Sequence, residues 1–155
     1  MFYTPERLRR IKNAVDYKEL LAVAMEVLYL TCLEDPVKPI AMVCGPISKT
    51  GGVGSRKRNL EIFSKAIDRL RAEKLAIFSQ MPFEDDMERL FKSDPKLQGI
   101  ELLEEFYLPI FKTKIIKILF FLPGWETSFG AVWEHRQAEI LGIPRVYLAN
   151  FYLYL

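Results

Sequence analysis

The residues from Phe120 to Glu134, FFLPGWETSFGAVWE, constrain the fold of this chain more than any other stretch. They begin as the end of an apolar run and turn at Pro123-Gly124. They then pass through Thr127, Ser128 and Gly130 and enter a helical pattern that carries Glu134 in or near its first turn. A strand end, a loop of small and hydroxyl residues and a helix start together make the ligand-binding corner of open α/β sheets. Free backbone N–H groups and the positive end of the helix dipole attract an anion or a sugar oxygen there.

The remaining patterns supply a frame for that corner. Pro39–Cys44 (PIAMVC), Lys74–Ser79 (KLAIFS), Ile115–Leu122 (IIKILFFL) and Pro144–Ala149 (PRVYLA) read as strands. The third is almost wholly apolar, as expected for a strand covered on both faces, with Lys117 at its entrance. Helical patterns run from Pro5 to about Val15, from Tyr17 to Glu34, from Lys57 to Glu73, over Met87–Phe91 and from Leu97 to Lys112, with Pro109 kinking or ending the last. Thr4-Pro5 and Asp16 are cap signals, and Gly142 stops the final helix. Strands alternating with helices predict an α/β fold: an open, doubly wound parallel sheet of the Rossmann or flavodoxin-like kind. A helical N-terminal extension is expected over 1–36, ahead of an α/β domain over 37–155.

Bulk properties remove several functional classes. A chain of 155 residues, half of them hydrophobic, can bury a full core. A net charge of +2 is too small for a nucleic-acid surface. One histidine and two separated cysteines, Cys32 and Cys44, argue against a zinc site. No metal and no cofactor is expected. The cysteines read as buried free thiols, which predicts a cytoplasmic location. No secretory signal is visible, and the apolar run Leu20–Leu33 is broken by Glu26, so no membrane contact is expected.

The candidate site residues come from two loops and an acidic cluster. After the first strand, Gly45-Pro46-Ile47-Ser48 and a further glycine-rich run including Gly52 lead toward a helix. That context favours close approach of the backbone to a ligand, although neither GxxxxGK[ST] nor GxGxxG is present. Arg56, Lys57 and Arg58 either draw in a phosphate or form a solvated basic patch. Asp85 and Asp86, beyond the second strand, either lend a carboxylate to the pocket or cap the helix that follows. Phe83 and Trp125 either stack on a base or pack in the core. Glu134 either complements its helix dipole or, in a partly closed pocket, attacks an anomeric carbon and carries a covalent glycosyl intermediate.

The segment FLPGWETSFGAVWEHRQAEILGIP, with VCGPIS…GG…N and FSQMPFEDD before it, resembles the nucleoside 2-deoxyribosyltransferase-like superfamily over about Ile40 to Leu148. It is most similar to the small bacterial and phage branch. The resemblance implies a transferase or nucleotide N-glycosidase acting on a nucleoside or nucleoside monophosphate. Glu134 is then the nucleophile, and Ser128 and Gly130 hold the sugar 5′ group or its phosphate. Gly45, Pro46, Ile47 and Ser48 line the same pocket. It also implies a homo-oligomer, in keeping with the apolar tail Phe151–Leu155, which is expected at a subunit interface or on the core. Lys117 stands where this branch often has aspartate. PGW…SFGA…E is also similar to the PGG-x-GT-x-x-E pattern of lysine-decarboxylase-like phosphoribohydrolases, with Trp125 in place of the second glycine. A non-catalytic nucleotide-binding sensor or subunit is the alternative from another class.

Overall fold

A computed structural model of the chain describes residues 2–47 and 56–155. Four parallel strands form one sheet in the order β2-β1-β3-β4: β1 (Ile40–Cys44), β2 (Ala76–Ile77), β3 (Ile116–Phe121) and β4 (Arg145–Tyr147). All five residues of β1 are buried. The step from β1 to β2 and the step from β3 to β4 run in opposite directions across the sheet. Right-handed crossovers therefore place the two connecting helices, α3 (Arg56–Ala72) and α7 (Phe129–Leu141), on opposite faces. This is the doubly wound parallel architecture of Rossmann and flavodoxin-like proteins, and its order reverses between β1 and β3.

The chain divides into two compact units, one formed by Met1–Val37 with Gln80–Ile115 and the other by Lys38–Ser79 with Ile116–Leu155. The sheet, α3 and α7 make up the second unit. Phe63, Ala66, Ile67 and Leu70 form the buried face of α3. The strands are shorter than the apolar runs that encode them. Lys74 takes a left-handed conformation (φ 71°) just past α3, which delays the start of β2. Lys117 is the residue skipped where Ile40 pairs with Ile116 but Ala41 pairs with Ile118. This bulge leaves Lys117 exposed at the strand's entry, the end opposite to the ligand-binding edge. β4 is an edge strand, and its Val146 and Tyr147 are exposed.

In the first unit the N-terminal helices α1 (Pro5–Lys12) and α2 (Tyr17–Glu34) join α4 (Glu84–Ser93), α5 (Ile100–Leu102) and α6 (Leu108–Lys112). The Thr4 hydroxyl accepts from the Arg7 N–H at 3.2 Å, and the Asp16 carboxylate accepts from the Glu19 N–H at 2.9 Å, so both sequence caps form. Between α5 and α6, Leu103–Tyr107 forms a π-helical turn. Pro109 stands two residues past its end; it has no N–H to return and crowds the carbonyl of Glu105, so the widened turn lets the helix continue past it. A chain of aromatic contacts runs Tyr3–Phe83–Phe106–Tyr107–Phe111, with centroids 5.0–6.4 Å apart. Among the described residues no helix is long and apolar enough to cross a membrane. Cys44 is buried as expected, whereas Cys32 is only half-buried.

Glu26 ties α1 to α2. Its carboxylate accepts from Arg10 at 2.6 Å and from Arg7 at 3.0 Å. The Arg10 hydrogen bond, followed by that of Arg7, holds its pKa below the ordinary carboxylate value. A depressed folded pKa means that this stabilisation is complete above about 4.5, the unfolded value, and disappears as pH falls through the lower folded value. With the Glu26 side chain 37% exposed, solvent screening limits the contribution, to below about 1 kcal/mol. Urea unfolding is expected to show Glu26→Gln less stable than wild type at pH 7, with the difference shrinking as pH falls below about 4.5.

Candidate functional site at the reversal of strand order

In an open α/β sheet, the loops after the two strands at the reversal run to opposite faces and leave a crevice between them. Here those strands are β1 and β3. They end level, with Cys44 opposite Phe121, and the Leu122 N–H donates to the Cys44 carbonyl at 2.9 Å, one residue further on. The GPIS and PGW turns therefore leave the sheet side by side. A Cβ on Gly45 would sit 2.9 Å from the Leu122 Cβ, so only glycine permits this approach. Gly124, at φ 86°, turns the second loop, and a Cβ there would meet Pro46 at 4.0 Å. The Asn59 amide, on α3, donates to the Ile47 carbonyl at 3.2 Å and anchors the first loop from its far side. Ser48 and Gly52 lie outside the described residues.

Ser128 is the N-cap of α7; its hydroxyl accepts from the Ala131 N–H at 3.2 Å. Gly130 falls in the first turn, where backbone N–H groups have no partner within the helix. Glu134 lies one turn deeper than the sequence reading put it: the helix begins at Phe129 and its first turn carries no acid. The residue lies on the inward stripe of α7, between Ala131 and Ala138, and is only 6% exposed. Its charge acts on the buried thiol of Cys44 at the carboxyl end of β1. Burial, followed by the Glu134 charge, pushes the Cys44 pKa well above the usual thiol range, so the sulfur keeps its proton.

Trp125 belongs to a different cluster. Its indole stacks on the His135 ring, with centroids 4.2 Å apart and planes inclined by 16°. Tyr147 of β4 joins them through a 2.7 Å hydrogen bond to His135 Nε2, and Phe121 packs against all three. Burial, then the nearby Arg145 charge, lowers the His135 pKa. One face of Trp125 is thus already covered by His135 of α7, and the cluster lies on the β4 side of β3. Arg56 opens α3 and is half-buried, while Lys57 and Arg58 are exposed.

The acidic cluster and Phe83 require correction. Phe83 is fully buried in the aromatic chain of the first unit and has no free face for a base. Asp85 and Asp86 are not caps: α4 starts at Glu84, so both stand within its first turn, complementing the dipole. Asp85 is exposed, and Asp86 pairs with Arg89 at 3.0 Å. The acid of this run that is buried is Glu84, which accepts from the Tyr107 hydroxyl at 3.4 Å. The tail packs in part on the core: Tyr152 is buried and Phe151 lies under Arg69 of α3, whereas Tyr154 is exposed. Sequence reasoning passed over Cys44 as a mere core thiol, although its place directly before Gly45-Pro46 was the available signal.

No protein-family model, curated protein or solved structure matches this chain.

The tight Gly45–Leu122 approach gives a direct test of the crevice. Gly45→Ala forces the two turns apart and should destabilise the protein by about 1–3 kcal/mol, read as a lowered urea midpoint. An unchanged midpoint would show that the turns are not held in contact.

Proposed function

We propose that this chain cleaves or transfers the N-glycosidic bond of a nucleoside or nucleoside monophosphate, with Glu134 as nucleophile. The observation that carries the reading is a carboxylate, 6% exposed, on the core side of the helix that opens at the reversal of strand order. Burying a carboxylate is costly, and a structural role would be filled more cheaply by an apolar side chain. Enclosure also strips water from the oxygen that must attack.

In the proposed step a Glu134 oxygen forms a bond to C1′ while the C1′–N bond breaks and the base departs with the bonding electrons. Water or a second base then attacks C1′ and releases the carboxylate. The free N–H groups of the first turn of α7, at Gly130, and the Ser128 hydroxyl are suited to the sugar 5′ oxygen or its phosphate, with Arg56 adding charge. The turn at Gly45, Pro46 and Ile47 forms the facing wall. No cofactor is invoked. The same site would serve a phosphoribohydrolase of the lysine-decarboxylase-like type, in which the 5′-phosphate is obligatory.

A second reading, a non-catalytic nucleotide-binding module, is favoured by one observation. Asp85 and Asp86, the candidates for handling the leaving base, stand at the start of α4, one exposed and the other ion-paired. Base release from nucleosides, deoxynucleosides and their monophosphates separates the two. The catalytic reading expects release that falls on the order of a thousandfold or more in Glu134→Gln. The binding reading expects ligand-dependent thermal stabilisation without release. We further propose a homo-oligomer that covers the exposed apolar residues of α7, β4 and the tail, namely Phe129, Val132, Ile140, Tyr147 and Tyr154. Sedimentation is expected to give a dimer or larger, and Ile140→Lys to shift it toward monomer.

A further inference from the structure

With Asp85 exposed and Asp86 ion-paired at the start of α4, the departing base of the proposed reaction lacks a proton donor. A base that leaves with the bonding electrons is helped by protonation as it goes. One pair of side chains in the second unit is suited to that task. Tyr147 Oη lies 2.7 Å from His135 Nε2, and Tyr147 is 56% exposed, so a ligand can reach it. The pair belongs to the ligand-binding edge of the sheet. Tyr147 ends β4 and pairs with Phe121, which pairs in turn with Cys44 at the end of β1. Neighbouring strands lie about 4.8 Å apart, so Tyr147 stands one strand spacing from the β3 wall of the crevice. Its partner His135 adjoins Glu134 on α7, so the pair lies on the face of the sheet that α7 covers. We infer that Tyr147 is the general acid for the departing base and that His135 is the positioning residue that holds its hydroxyl. This rests on the proposed Glu134 chemistry and adds the proton which that chemistry needs.

The surrounding rings fix the pair. The His135 ring stacks on Trp125 at 4.2 Å and meets Phe121 edge-on at 5.1 Å. Burial, then the Arg145 charge from β4, lower its pKa against the opposing charges of Glu139 and Glu126, so the imidazole is mainly neutral at pH 7. With its proton on Nε2, the neutral ring donates to Tyr147 Oη and leaves the phenolic proton free to point outward. A phenol, with an ordinary pKa of about 10, keeps that proton at pH 7 until a stronger base appears beside it. In the proposed step the C1′–N electron pair passes to the base nitrogen, and that nitrogen takes the Tyr147 proton. The His135 Nε2–H stabilises the phenolate that remains. When water or a second base attacks C1′ and frees Glu134, the proton it sheds returns to Tyr147. A purely structural role would gain little from this hydrogen bond, because water serves an exposed hydroxyl nearly as well.

The test compares two leaving groups in wild type and Tyr147→Phe, a change that keeps the ring and removes only the hydroxyl. One set of substrates is the nucleosides, deoxynucleosides and their monophosphates. The other is the 4-nitrophenyl glycosides of the same sugars, whose leaving group departs without a proton. Tyr147→Phe should lower kcat for base release about a hundredfold or more, and should lower nitrophenol release by at least about tenfold less than that. Equal losses on both sets, or no loss on either, overturn the inference and leave the glycosidic reading standing. Wild type that frees nitrophenol but no base also overturns the inference while the Glu134 chemistry stands. Wild type that frees neither rejects the glycosidic reading and the inference with it. Should Tyr147→Phe fail to fold, His135→Gln on the same two sets decides. A loss concentrated on base release supports the assignment, and an equal loss on both overturns it.

Discussion

Parallel pairing of β1 with β3, in the register that sets Cys44 opposite Phe121, is the constraint on which the rest of the second unit depends. It makes the two central strands end level. The chain leaves both at once, and the loops must share one small space. Gly45 satisfies that demand by having no side chain, and Gly124 satisfies it by turning with a positive φ. A slip of one residue in this register would send the side chains of β1 to the opposite faces and remove Cys44 from Glu134. The bulge at Lys117 lies at the other end of the pair, where the register is adjusted without disturbing this edge.

Against that background Glu134 is the expensive feature. The other inward positions of α7 are small: Ala131 and Ala138. A carboxylate between them lowers the stability that an apolar residue would give, unless its lone pairs are satisfied. A buried acid on the helix that opens at the reversal of strand order is an arrangement that active sites use at the expense of stability. Glu84 in the first unit offers a contrast. It too is buried, but it accepts from a tyrosine hydroxyl within an aromatic core, in surroundings that suit a structural acid.

The aromatic residues divide along the same lines. Phe83 and Phe106 fill the interior of the first unit. Trp125, His135 and Tyr147 form a partly exposed stack at the sheet edge beside the crevice. The stack braces the PGW turn: Trp125 belongs to the loop, His135 to α7 and Tyr147 to β4. It thereby links the three elements that follow β3.

The sequence by itself determined the fold class, because four short apolar runs separated by helical periodicity have few arrangements other than a parallel sheet. It also determined the caps at Thr4, Asp16 and Gly142, which depend on neighbours within a few residues. The importance of the two glycine turns was legible for the same local reason. What only the tertiary structure decided was which side chains meet across distance. Phe83 and Trp125 looked alike as aromatic candidates, yet one is core and the other is stacked on His135 of α7. Asp85 and Asp86 stood out by their charge, whereas burial picked out Glu84. Cys44 and Glu134 are ninety residues apart in the chain, and no local pattern links them. The Glu134 charge reaches the Cys44 thiol through the arrangement of the strands and helices, and strand order is a property of the whole sheet rather than of any segment in it.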